Sequence, residues 1–299
     1  KDPALRRVAV LMAPRILDLF LARISIQWIA TNIASGLGEG RVSAVQYGFQ
    51  LMNMPQTLIG TAIGFAVFPT MAHLASRRDV VAQREALSGS LRAILTLAIP
   101  AGVVLLLLGR AIIQVLYEGG EFTPRSTELV FAALQAYVVA LISLSMLEVV
   151  VRAYAAQQDT LTPLVVSVFT TALNIGLAFW LAGTSLLHAG PPLAYGLAVL
   201  VEVTIHLFIL RHRWGGIDAG LILRDVGRAA LASLGMAGVI VLLTAWNELP
   251  PILLLLVAGA AGGAVFFGLA FLLGIREIRS IPLTLAREVL GRRIRSAEG

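Results

Sequence analysis

AVQYGFQLMNMPQTLIGTAIGFAVFPTMAHLAS, residues 44–76, decides the fold of this chain. Its second half, 58–71, is apolar enough for hydrocarbon, yet its first half carries Gln46, Gln50, Asn53 and Gln56. Pro55 and Pro69 interrupt it, and Gly60 with Gly64 makes a GxxxG pair. A helix in lipid tolerates proline only where neighbours satisfy the carbonyls it frees, so this segment is expected to pack against other helices. Gln46, Gln50 and Asn53 recur at helical spacing and form a stripe that must face protein or a water-filled cavity. Two readings compete. The stripe is interhelical hydrogen-bond glue, or it is the cavity wall of a transporter. In the second reading Gln46, Gln50 and Asn53 touch substrate, and Pro55, Gly60 and Gly64 are hinge and packing positions.

Composition agrees with a membrane setting. The 299 residues are 58% hydrophobic and 13% charged, and mean hydropathy is +0.86. That balance excludes an ordinary soluble domain and predicts an all-α, polytopic transmembrane bundle. There is no cysteine, hence no disulfide, thiol catalysis or Cys-based metal site. The first residue is Lys1 rather than methionine, and the expectation is a piece of a longer protein.

Eight spans are predicted, at 8–34, 44–74, 91–108, 127–153, 163–183, 192–210, 229–246 and 251–273, each near the roughly 20 residues needed to cross the hydrocarbon. Arginines fall in alternate connections: Arg77, Arg78, Arg84 and Arg92, then Arg152, then Arg211, Arg213, Arg224 and Arg228, and finally the tail. The other side holds only Arg41, Arg110 and Arg125. The net charge of +6 is therefore a topology signal rather than a nucleic-acid footprint, and both termini are expected in the cytoplasm. Thr123 before Pro124, and Thr162 before Pro163, read as helix caps with proline at the first helical position. The membrane domain is drawn at 1–274. Residues 275–299 form a basic tail in which Leu285, Val289, Leu290 and Ile294 lie among arginines, as in an amphipathic helix on an anionic leaflet.

The first span embeds Arg15, Asp18 and Arg23. Arg15 and Asp18 lie three residues apart on one helix face and can pair. Arg23 lies about 22 Å along the span, near neither interface, and must face a cavity or a partner. Guanidinium groups suit phosphate through paired hydrogen bonds, so Arg23 with Arg15 is the candidate contact for an anionic headgroup. Glu148 and Arg152 form an i, i+4 pair. Glu202 and His206 repeat that spacing, as a proton relay or simply a satisfied pair. Asn174, in the middle of the fifth span, can join a cation site or bridge helices. GAAGG at 259–263 reads as close helix packing.

Several enzyme classes drop out. Lys1 is the only lysine, so no phosphate-binding GxxxxGK loop exists. His73, His188, His206 and His212 show no HExxH or paired-ligand spacing, and there is no GxSxG. No catalytic residues, metal or cofactor are expected.

LMAPRIL (11–17), ASGLGEGRVSAVQYGFQLMNMP (34–55), GTAIGFAVFPTMAHLAS (60–76), YEGGEFTPRST (117–127) and AYAAQQDTLTP (153–163) occur in an order that resembles the MurJ/MviN lipid II flippases of the multidrug/oligosaccharidyl-lipid/polysaccharide exporter superfamily. The resemblance covers family helices 7–14. It implies the C-terminal lobe of a two-lobed protein, working by alternating access around a cationic cavity in the bacterial cytoplasmic membrane. The implied substrate is lipid II, an undecaprenyl-pyrophosphate-linked peptidoglycan precursor. The implied partners are membrane lipids and a missing N-terminal lobe, and the implied coupling ion is Na+ or H+, with Asn174, Asp18, Glu202 and His206 as weaker coupling candidates. The chain departs from the family where it carries Phe49, Gln50 and Asn53 in place of an Asp-Arg pair and an acidic residue. Ala178 stands where the resemblance implies a carboxylate. Two alternatives remain: an exporter of another lipid-linked oligosaccharide or drug, and a divergent scaffold for cell-envelope proteins.

Overall fold

The computed structural model describes residues 30–246 and 249–275, together with Ile16, Leu17, Phe20 and Leu21. The first predicted span lies mostly outside these residues, as do Arg15, Asp18, Arg23 and the basic tail. The described residues form helices: α1 (Ala30–Ser35), α2 (Arg41–Gln56), a π turn (Thr57–Thr61), α3 (Ala62–Ser76), α4 (Val80–Tyr117), α5 (Pro124–Ala156), α6 (Leu161–Ala182), α7 (Gly190–Arg213), α8 (Ala219–Trp246) and α9 (Pro251–Leu272). α2, the π turn and α3 make one continuous rod. Seven rods are then long and apolar enough to cross a membrane, against the eight expected for the whole chain.

The rods begin and end where local chemistry requires. Asp79 caps α4, its Oδ1 accepting from the Ala82 amide at 3.0 Å. Thr123 caps α5 with Pro124 at the first helical position, as the sequence predicts. The cap of α6 differs from expectation. Asp159, not Thr162, receives the orphan amide, with Thr162 N–H donating to Asp159 Oδ1 at 3.0 Å. Pro163 accordingly sits inside the first turn, where a missing amide costs nothing.

α4 is much longer than its predicted span. Its 38 residues cover about 57 Å, against a hydrocarbon core of about 30 Å. The added turns carry Arg84, and Arg92 stands one residue inside the predicted start; both are paired. Arg84 meets Asp218 at 2.7 Å and Arg92 meets Asp225 at 3.0 Å. These bridges tie α4 to α8 at what we call the basic end, with Arg228 adding bonds to Asp225 and to the Gly274 carbonyl.

α5 is the spine of the bundle, packed by α2, α3, α4 and α7. Leu134, Tyr137 and Leu141 are fully buried on it. Small residues bring the backbones together: a Cβ at Gly196 of α7 would lie 2.8 Å from the Ala140 amide, and one at Gly48 of α2 3.1 Å from that of Leu134. The α8–α9 hairpin packs on α4 through Ala229, Ala232, Met236, Ile240 and Phe266. Within the GAAGG run only Gly262 meets its neighbours closely, Ile240 and Met236 of α8; added Cβ atoms at Gly259 and Gly263 would meet open space.

Candidate functional site

The α2–α3 rod presents two different faces. Along α2, Ala44, Val45, Gly48, Leu51 and Met52 are buried, while Gln46 and Gln50 are exposed and Asn53 half-buried. The stripe lies away from α5, on a rod whose remaining exposed surface is mostly apolar, including Met54, Leu58 and Phe65, with Thr57 beside them. Amides so placed are available to a polar ligand. Phe49, one of the positions where the resemblance implies a charge, instead packs edge-on against Tyr137 at 5.6 Å.

Gly60 and Gly64 occupy the opposite face. Gly64 is eighteen residues, or about five turns, from Gln46, so an uninterrupted α-helix would place it on the polar stripe. Yet Gly60 and Gly64 are buried against α5. The π turn, which starts two residues after Pro55 and contains Gly60, supplies the difference for Gly64, because one extra residue rotates everything beyond it by about 100°. A Cβ on Gly60 would lie 2.7 Å from Ser145 Cα, and one on Gly64 would lie 2.6 Å from Arg152 Nη1. Gly64 thus makes the seat for the Arg152 guanidinium, which pairs with Glu148 and lies 4.5 Å over the Phe65 ring.

A second polar group links α5, α6 and α7. Thr170 Oγ1 of α6 is 3.2 Å from Glu202 Oε2 of α7. The buried His206 ring bonds through Nδ1 to the Glu202 main-chain carbonyl at 2.9 Å, and the Tyr154 hydroxyl of α5 donates to the His206 carbonyl at 2.9 Å. Tyr154 and His206 rings meet edge-on at 5.1 Å. Asn174 is buried one turn from Thr170 on α6. Ala178, a turn further, is fully buried in apolar packing with Leu181 and Ala194. Among the described residues, no three His, Cys, Asp or Glu side chains gather as metal ligands.

At the basic end, Arg213 of α7 reaches the α5–α6 turn, its Nη1 donating to Asp159 Oδ2 at 2.6 Å and its Nη2 to Thr162 Oγ1 at 2.9 Å. Burial raises the Asp159 carboxyl, but hydrogen bonds from Thr162 and Arg213 outweigh it and hold its pKa below the usual carboxylate value. At the other end, Tyr47, Tyr117 and Phe122 converge, with Tyr47–Tyr117 centroids at 4.8 Å.

The structure thus assembles Gln46, Gln50 and Asn53 on one face, and Glu202, His206 and Thr170 in another group. Arg15, Asp18 and Arg23 lie outside the described residues. Thr170, Tyr154 and the aromatic trio were missed, because they meet across helices far apart in sequence.

A profile described as "Lipid II flippase MurJ" matches residues 1–258. The chain belongs to the MurJ family. Relatives include the "Probable lipid II flippase MurJ" of Bdellovibrio bacteriovorus, 28% identical over 286 residues, which cover 93% of this chain and 54% of that protein. That of Rhizobium meliloti is 27% identical, with 95% and 54% covered. The chain therefore spans about half the length of these curated relatives. A solved structure, "Lipid II flippase MurJ, inward closed conformation", shares the fold with a TM-score of 0.75 at 23% identity, over 87% of this chain and 53% of that one. An outward-facing MATE family transporter of the MOP superfamily matches with a TM-score of 0.60 at 17% identity, over 89% of this chain and 64% of that one.

Proposed function

We propose that this chain is the C-terminal lobe of a lipid II flippase, moving an undecaprenyl-pyrophosphate-linked peptidoglycan precursor across the bacterial cytoplasmic membrane. Membership of the MurJ family supports the substrate class, and one observation carries the placement: a polar stripe, Gln46–Gln50–Asn53, on the outward side of a mostly apolar rod. Amides facing acyl chains would each cost several kcal/mol, so this face belongs to a cavity closed by a second lobe. Translocation is by alternating access and makes or breaks no covalent bond. Arg23, with Arg15, holds the pyrophosphate, and the amides contact the rest of the headgroup. The basic end is cytoplasmic by the positive-inside pattern. The first span, at 8–34, makes eight in all, and 275–299 lies along the inner leaflet. Asn174, Asp18, Glu202 and His206 are the residues available for Na+ or H+ coupling.

The test uses the full-length protein in liposomes loaded with labelled lipid II. Arg23→Ala and Gln50→Ala are expected to slow translocation at unchanged protein level. Unchanged rates in both variants would remove the cavity assignment. Phe49 and Ala178, apolar where the family resemblance implies charge, favour a second reading as exporter of a different lipid-linked oligosaccharide. Translocation of such a lipid but not of lipid II would select it.

A further inference from the structure

The aromatic trio lies at the end of the bundle opposite the basic one, and its three rings come from separate segments. Tyr47 is on α2, Tyr117 ends α4, and Phe122 is in the α4–α5 turn. Centroid separations are 4.8, 5.9 and 5.9 Å. The turn is held in place. Gly119 and Phe122 exchange both backbone hydrogen bonds, at 3.2 and 3.0 Å, and the Thr127 hydroxyl donates to Glu118 Oε2 at 3.1 Å. Tyr47 remains 36% exposed, and Tyr117 and Phe122 are half-buried.

Position on the helix links the trio to the polar stripe. Tyr47 precedes Gln50 by three residues and follows Gln46 directly, so the ring flanks the exposed amides on the same side of α2. Exposed Glu118 follows Tyr117 in the chain. Tyr47 thus shares one side of α2 with the two exposed amides, while its ring meets those of Tyr117, the neighbour of Glu118 in the chain, and Phe122.

We propose that this group is a sugar-binding platform for the glycan part of the translocated lipid. The inference rests on the flippase reading and adds a subsite to it. A pyranose has an apolar C–H face that lies on an aromatic ring, and a rim of hydroxyls. Each glutamine offers both donors and acceptors to that rim, and the carboxylate offers two acceptor oxygens. None of Gln46, Tyr47, Gln50, Tyr117, Glu118 and Phe122 is basic, which suits a neutral polyol and not a phosphate. The rival role is membrane anchoring. Interfacial tyrosines do line bilayer surfaces, but an anchor needs neither clustering nor flanking amides.

Two measurements on the full-length protein test the platform. The first compares binding, in nanodiscs, of polyprenyl pyrophosphate with and without an attached N-acetylhexosamine disaccharide. Tyr47→Ala should weaken the sugar-bearing lipid about tenfold, about 1.4 kcal/mol, and change the bare lipid less than about twofold. Tyr47→Trp should retain sugar-lipid binding. Equal loss for both lipids, or no loss for either, overturns the platform and assigns the trio to packing or anchoring. The second records tryptophan emission of Tyr47→Trp, minus that of wild type, with free disaccharide added. A saturable change supports the platform even if the protein translocates no lipid II, a result that would remove the flippase reading alone. No change overturns the platform even if translocation is intact.

Discussion

Gly60→Ala is the most informative single change in the fold. The added methyl group would lie 2.7 Å from Ser145 Cα, 3.1 Å from Ser145 Cβ and 3.2 Å from Gln56 Nε2. Ser145 Cα is backbone in the middle of the spine helix, so the seam must open by close to 1 Å to restore ordinary contact. Overpacking against an immovable neighbour costs about 3 kcal/mol. Alanine's better helix propensity returns about 1 kcal/mol, leaving a net loss of about 2 kcal/mol. At about 2–4 °C per kcal/mol, the melting temperature of the detergent-solubilised protein should fall by about 4–8 °C. Gly263→Ala is the matched control. Nothing lies within 4 Å of its added Cβ, so only the propensity gain acts and the melting temperature should rise slightly. If Gly60→Ala melts at or above wild type, Gly60 does not face α5, and the register assigned through the π turn is wrong.

Other expectations follow from the ion pairs. Asp225→Ala removes a largely buried carboxylate that Arg92 and Arg228 share and should cost about 3 kcal/mol, read as a lowered melting temperature. The double change Arg92→Met with Asp225→Leu should recover part of that loss, because only Arg228 then lacks the carboxylate and it keeps its bond to the Gly274 carbonyl. Asp159 has a lowered pKa in the fold, so its stabilisation is present above its unfolded value of about 3.9 and is lost as pH falls through the lower folded value. Melting curves between pH 2 and about 6 should therefore show an acid-dependent loss that Asp159→Asn removes. Arg213→Gln should raise the Asp159 pKa toward the ordinary value and so shrink that acid-dependent loss, measurable by the same titration.

Helical type was legible in the sequence wherever apolar length was the deciding quantity, and seven of the eight predicted spans have counterparts among the described residues. α6 and α9 lie within a few residues of their predicted bounds. The start of α4 was cut short in prediction because Arg84 looks like exposed charge when Asp218, more than a hundred residues away, is not in view. The α6 cap was misplaced for a smaller reason: proline at the first helical position is a strong statistical cue, but the Asp159 carboxylate, pulled into place by Arg213, competes better for the Thr162 amide. Gln46, Gln50 and Asn53 could be grouped by spacing alone. Glu202 and Thr170 could not, since their contact depends on how α6 and α7 are set against each other. The spacing of Gly60 and Gly64 marked them as a pair, but no periodicity counted from Gln46 could say which way they point.

The π turn has a consequence for how this rod can change over time. With an unbroken helix, any residue added or lost near Pro55 would turn one surface relative to the other by about 100°, and one of the two would end up misplaced. Here the two halves are already out of phase, and the mismatch is absorbed within five residues, Thr57–Thr61. Substitutions along Gln46, Gln50 and Asn53 can therefore retune what the exposed half meets without any adjustment at the Gly60–Ser145 and Gly64–Arg152 seam. Loss of a single residue from those five would do the opposite, swinging Gly64 round toward the polar side and driving bulkier neighbours into the spine.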